Sequence, residues 1–257
     1  IVDYVSEMPR FNGKEPVMLQ FHLMSTHGLG LKHDSSQIFQ PSVNYYSWPV
    51  GRSRVAPSER EAVKAVNHYD NGVLQFDSTV QAILSALGEK GYLDSAVVLI
   101  TGDHGEMLGE NKFFGHQYGV DEEVLRVPFI LQRRGYSGYA FSDWPLTSQI
   151  DIAPTILYEL GIEVPKVWSG VALQESVKSR VVYFQQGPRS GLYYSPKKDL
   201  LFKYWMNLED GSQELFEVKG GVSYKADVSE LDASMLQELR SKVISASVFA
   251  GNKFAPQ

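Results

Sequence analysis

The chain has 257 residues, 43% of them hydrophobic and 21% charged, the profile of a globular protein able to bury a substantial core. Its net charge of −6, with no basic run or basic-aromatic patch, argues against a nucleic-acid surface as the main function. Without cysteine there is no disulfide framework, thiolate metal site or Cys nucleophile in these residues, and no apolar run reaches the length of a membrane span. The N-terminus lacks signal-peptide form, and the chain opens without Met, as a fragment or processed form does.

Residues 1–16 are polar and mixed and end in a turn signal, Gly13-Lys14-Glu15-Pro16. Val17 to Met24 then reads as a largely apolar strand running into Ser25-Thr26-His27-Gly28. From Gly28 to Pro57 the chain is rich in Ser, Pro, Asn and aromatics, a long loop whose Tyr45, Tyr46 and Trp48 are expected to pack it onto the core rather than line a pocket. Ser58-Glu59-Arg60-Glu61 is a capping box. After it, Val66, Tyr69, Val73, Phe76, Val80, Ile83 and Leu87 recur three and four apart. That spacing predicts a long helix, stopped by Gly88 and Gly91 and loosened locally at Asn71-Gly72.

Ala96 to Ile100 is an unbroken apolar run with three β-branched residues, which suits a strand buried on both faces as in a parallel sheet. It breaks at Thr101-Gly102 into Asp103-His104-Gly105-Glu106. Ligands of open α/β sheets sit beyond the carboxyl ends of the strands. An Asp oxygen beside a His nitrogen suits Zn²⁺ or Mn²⁺ and, less ideally, Ca²⁺. His27 ends the earlier apolar run in the same way, and His116 follows in a second glycine-bounded loop. His22 lies inside its predicted strand, while His33 and His68 have no comparable setting.

Val127 to Leu131 reads as the next strand, Ser148 to Gly161 as a helix with Pro154 near its first turn, and Val181 to Phe184 as a further strand. From Gly191 to Val218 the pattern becomes alternating and aromatic-rich, with a turn at Asp210-Gly211, and an amphipathic stretch from about Ser229 to Val248 closes the chain. The expected fold class is α/β. A mostly parallel sheet flanked by helices occupies residues 1–187, and an antiparallel hairpin region with a terminal helix occupies 188–257.

These landmarks, in order, resemble the sulfatase family of the alkaline-phosphatase superfamily, which also contains membrane-anchored phosphoethanolamine and phosphoglycerol transferases. The resemblance is carried by Tyr69-Asp70 through Asp77, Gly91 to Asp94, Val98 to Glu106, Leu108 to Asn111 with His116, Glu122 to Pro128, Asp151 to Thr155 with Leu160-Gly161-Ile162 and Pro165, and Glu214 to Val218. It implies an alkaline-phosphatase-like fold and metal-assisted attack on a sulfate or phosphate ester. Asp103 and His104 match positions that bind a divalent metal (Ca²⁺, Zn²⁺ or Mn²⁺). His27 and His116 match positions that contact the transferred group, protonate the leaving oxygen or hold a second metal.

One departure matters. The family places its nucleophile and first acidic ligand well upstream of the position of His27, and only twenty-six residues precede His27 here. The chain therefore resembles the C-terminal part of a longer catalytic domain, expected to show little turnover alone. The leading expectation is a sulfatase-like hydrolase; the alternatives are a membrane-anchored transferase acting on envelope lipids or glycans, and a non-catalytic binding protein that kept the fold. The partner is a sulfate- or phosphate-ester substrate rather than nucleic acid. Any membrane contact would come from segments upstream, leaving this part periplasmic or extracytoplasmic.

Overall fold

The structure is a computed structural model that describes all residues except 49–54, 118, 135–145, 176–179, 198–199, 229–232 and 250–257. The chain divides into two compact units. One comprises Ile1–Thr101, Glu106–His116 and Pro128–Tyr136; the other comprises Gly102–Gly105, Gln117–Val127 and Ser137–Gln257.

In the first unit a short helix α1 (Val2–Glu7), not anticipated from the sequence, buries Val5 completely. The long helix α2 (Glu59–Glu89) starts where the capping box requires, with Ser58 Oγ accepting the Glu61 N–H at 3.3 Å. Its C-terminal half buries Ile83 and Leu87 against Val5 and Leu93, with Phe21, Leu23 and Val98 packed alongside. Its N-terminal half meets the long loop. There Ala65 packs with Tyr45, Trp48 and Phe114, so the loop aromatics do seat the loop on the core.

Asn71-Gly72 does not loosen the helix. Asn71 is fully buried and brackets Phe39, accepting its N–H at 2.9 Å and donating to its carbonyl at 3.0 Å. One turn on, Gln75 does the same for His33 N–H and Leu31 O. A polar stripe on the helix thus satisfies backbone groups of a loop that has no ladder among the described residues.

Strand β1 (Val97–Thr101) is present, but the pairing differs from the parallel, doubly buried expectation. Every one of its residues is half-buried, and it pairs antiparallel with β4 (Phe129–Arg133), Leu99 opposite Leu131. The predicted strand at 17–24 is likewise corrected: those residues carry no ladder among the described residues. Phe21 and Leu23, two apart, turn toward the core cluster, while Val17, Met18 and Met24 are exposed. A strand needs a neighbour to take its backbone hydrogen bonds, and hydrophobicity alone does not supply one. Between β1 and β4 in sequence, β2 (Met107–Leu108) and β3 (Phe114–Gly115) form a short hairpin.

In the second unit, α3 (Glu122–Leu125) is a single turn and α4 (Ile152–Glu159) follows a capping box between Ser148 and Asp151, with Gly161 at φ 68° just beyond its end. The antiparallel sheet has five strands in sequence order: β5 (Arg180–Gln186), β6 (Arg189–Lys197), β7 (Leu200–Asn207), β8 (Gln213–Lys219) and β9 (Val222–Ala226). The strand expected at Val181–Phe184 is its first member.

The two faces of that sheet follow from the pleat. Leu192, Tyr204 and Leu215, aligned across β6, β7 and β8, pack with Leu239 and Val243 of helix α5 (Ala233–Phe249). Their neighbours in sequence, Tyr193, Lys203 and Phe216, are aligned on the opposite face. The start expected for the terminal helix, at 229–232, lies outside the described residues. Among the described residues, no helix is long and apolar enough to cross a membrane.

Candidate functional site

The apolar run at 17–24 ends in a tight turn that presents His27. Its N–H donates to Met24 O (3.2 Å), and Gly30 N–H returns to His27 O (2.9 Å). The Leu29 N–H donates to His27 Nδ1 at 3.1 Å. A backbone N–H can only donate, so Nδ1 offers its lone pair and the neutral ring carries its proton on Nε2. Helix α2 holds the turn through Gly72, where a Cβ would lie 2.2 Å from Ser25 O. His68 Nε2 lies 3.3 Å from Gly28 O, and the Lys32 ammonium donates to His27 O (2.8 Å) and Gly30 O (3.0 Å). Burial, then the nearby Lys32 charge, lower the His68 pKa and favour its neutral form.

Burial also lowers Lys32, from its ordinary 10.5 to about 8. Between those two values the unfolded chain binds more protons than the folded one, so this group makes stability rise with pH across that window and fall again as pH drops through about 8. Urea unfolding at pH 7.5, 9 and 10.5 is expected to show that rise, and Lys32→Met to flatten it. An unchanged slope in the variant would assign the rise elsewhere.

The β2–β3 hairpin presents His116. Met107 opposes Gly115, so Glu106 and His116 face each other one position beyond the ladder. His116 Nδ1 lies 3.2 Å from Glu106 Oε2. A carboxylate only accepts, so Nδ1 carries the proton and Glu106 fixes the ring's tautomer and direction. The other Glu106 oxygen accepts from Tyr45 OH at 3.1 Å. Burial first, then Glu106, raise the Tyr45 pKa, which keeps that donor protonated. The His27 and His116 ring centroids are 6.0 Å apart, and Tyr46 lies 5.8 Å from His27. From sequence alone Glu106 has no role in orienting His116, and Tyr45 is expected only to pack the loop. The usable signal was the hairpin register, which pairs position 106 with 116.

Asp103 and His104 belong to the second unit and form one turn. Asp103 Oδ1 accepts the His104 N–H at 3.0 Å, and His104 Nδ1 lies 2.9 Å from Gly105 O. A carbonyl only accepts, so His104 carries its proton on Nδ1 and its lone pair is on Nε2. That nitrogen is 3.8 Å from Asp103 Oδ2. Two donors on one cation, at roughly 2.0–2.5 Å each, stand roughly 3–3.5 Å apart, so the pair needs only a slight closing. The donor set therefore fits a divalent cation. Side-chain exposure of 72% for Asp103 and 39% for His104 leaves both accessible. Among the described residues no group of three or more His, Cys, Asp or Glu side chains is placed to hold a metal ion.

The turn leans on α3. Gly105 N–H donates to Val124 O at 2.8 Å, and a Cβ on Gly105 would lie 1.9 Å from Glu123 O, so only glycine fits. Helix α3 is in turn tied to the five-stranded sheet. One oxygen of Glu122 accepts from Tyr193 OH (2.7 Å), Lys203 Nζ (3.1 Å) and Ser223 Oγ (2.6 Å). Lys203 is buried, with the rings of Phe184, Tyr193 and Phe216 all within 5.8 Å. Burial, then Glu122, raise the Tyr193 pKa.

The chain is similar to known proteins over much of its length. An arylsulfatase of Clostridium perfringens (strain 13 / Type A) is 25% identical over 195 residues, covering 68% of this chain and 40% of that protein. A solved structure of a 2-O GAG sulfatase superposes with a TM-score of 0.62 at 14% identity, covering 98% of this chain and 57% of that one. A further structure, solved in complex with its substrate D-glucosamine-2-N,6-O-disulfate, gives a TM-score of 0.56 at 21% identity, covering 77% of this chain and 44% of that one. The chain thus spans about half the length of the proteins it matches, and the fold class is that of alkaline-phosphatase-like sulfatases. The sulfatase family model matches residues 2–162, a stretch that contains His27, Asp103, His104 and His116. By that match the chain belongs to the sulfatase family.

Proposed function

We propose that this chain carries the metal-binding and proton-transfer part of an enzyme that hydrolyses sulfate esters. The observation that carries the reading is the family match enclosing two histidine-bearing turns whose ring nitrogens are oriented in complementary ways. Asp103 and His104 hold a divalent cation, Ca²⁺, Zn²⁺ or Mn²⁺. When bound, the cation polarises the ester oxygens and favours a deprotonated nucleophile. The nucleophile comes from a segment outside this chain, a reading supported by the greater length of the relatives.

His27, with its proton on Nε2, donates to an oxygen of the transferred sulfuryl group. His116, oriented by Glu106, gives a proton from Nε2 of its imidazolium to the departing alkoxide and takes one back from water during turnover. The substrate's organic part is a sugar, by analogy with the structural neighbour solved with a disulfated glucosamine.

The test uses the full-length protein with matched aryl sulfate, aryl phosphate and 6-O-sulfated glucosamine substrates. Sulfate release is expected, abolished by chelation and restored by one of the three cations. Release of phosphate only, or sulfate release indifferent to chelation, would overturn the reading.

A further inference from the structure

We propose that Gln149 is the positioning residue of the Asp103–His104 turn, an inference that rests on the metal-binding reading above. Its side-chain amide nitrogen donates to Gly102 O (2.9 Å) and to Asp103 O (2.5 Å). One NH₂ group has two N–H bonds, and here they meet the carbonyls on either side of a single residue. Bridging both carbonyls sets the tilt of the two peptide planes flanking Asp103, and with it the direction in which Asp103 and His104 leave the backbone.

The base of Gln149 is held far more firmly than an exposed glutamine requires. It is the first residue of a 3₁₀ turn whose start is fixed by the capping box, with Asp151 Oδ2 accepting Ser148 N–H at 2.7 Å. Asp151 is fully buried; its other oxygen accepts Val171 N–H at 3.0 Å and is ion-paired to Arg180. Gly170 closes against the same turn, where a Cβ would stand 1.9 Å from Ile150 O. Gln149 itself is exposed and fills no core; the support that starts α4 also fixes the position of its amide. Ligand-orienting groups of this kind are worth about 10–100-fold in metal affinity.

Three variants of the full-length protein test this. Gln149→Met keeps the length and loses both donors; Gln149→Glu keeps the shape but sets oxygens against the two carbonyls; Gln149→His restores one N–H at similar reach. Two readouts apply: the Mn²⁺ dissociation constant by calorimetry, and amide hydrogen exchange at His104 and Gly105 in metal-free protein. Gln149→Met and Gln149→Glu are expected to weaken Mn²⁺ binding about 10–100-fold and to speed exchange at both amides. Their melting temperatures should stay within about 1 °C of wild type, as for surface substitutions. Gln149→His is expected to recover part of both losses. Exchange rates or Mn²⁺ affinity unchanged in Gln149→Met would overturn the proposal. A wild-type protein that binds no Mn²⁺, Ca²⁺ or Zn²⁺ would instead refute the metal reading, with hydrogen exchange still deciding the role of Gln149.

Discussion

On the proposed function, replacing Asp103 with asparagine in the full-length protein is expected to lower kcat/KM on a sulfate ester by at least about a thousandfold, some 4 kcal/mol of transition-state stabilisation, while the melting temperature stays within about 2 °C. The two halves of that expectation come from one geometry. The carboxylate is 72% exposed and asparagine keeps its size, so the substitution leaves no cavity. The local bond from His104 N–H to Oδ1 survives in the amide variant, so the turn keeps its shape. What disappears is the negative charge next to His104 Nε2, and with it, on the proposed metal reading, the tighter cation binding that a carboxylate gives over an amide. Calorimetry with Mn²⁺ separates this from a general loss of activity: affinity should fall in step with turnover. An Asp103→Asn enzyme with near wild-type rate would reduce Asp103 to a turn-capping residue.

The largest stability effect is expected at Glu122 and Lys203. Removing either alone leaves a charge inside the structure without its opposite, and single deletions of this kind cost about 3–5 kcal/mol. For Glu122→Gln the stranded charge is the Lys203 ammonium, 4% exposed at its side chain and left with a neutral amide oxygen and three aromatic ring faces. For Lys203→Met it is the Glu122 carboxylate, left with two hydroxyl donors. At about 2–4 °C per kcal/mol for a chain of this size, each variant should melt roughly 6–20 °C below wild type. The double variant Glu122→Gln/Lys203→Met removes both charges and is expected to melt above either single one, a non-additivity of about 2 kcal/mol or more. Simple additivity would show that the pair is not coupled. Because Glu122 anchors α3, and α3 receives the Gly105 N–H, loss of Glu122 should also speed hydrogen exchange at Gly105.

Local signals in the sequence were reliable wherever a few neighbouring residues settle the matter. The Ser58 cap, the three-and-four spacing of α2, the Ser148 start and Gly161 stop, and the alternation of β6 to β8 all depend on residues within one or two turns of each other. They were read at nearly their observed positions. The same alternation put Lys203 on the face shared by Tyr193 and Phe216, an inward parity for a lysine that sequence alone could have flagged.

The apolar run 17–24 misled because hydrophobicity marks what avoids water and says nothing about which strand lies alongside. Asn71 misled because helix propensity counts the cost of a polar residue in a helix and not the loop backbone it satisfies.

By itself the sequence determined the family, the long helix α2 and the alternation of β6 to β8, because those are properties of residue type and short spacing. Only the tertiary structure decided that Glu106 orients His116, that Gln149 bridges the carbonyls around Asp103, and that Glu122 binds α3 to a sheet whose Lys203 lies 81 residues away. Each of these is a hydrogen bond whose worth depends on direction and on exclusion of water, and a linear chain specifies neither until distant segments have packed.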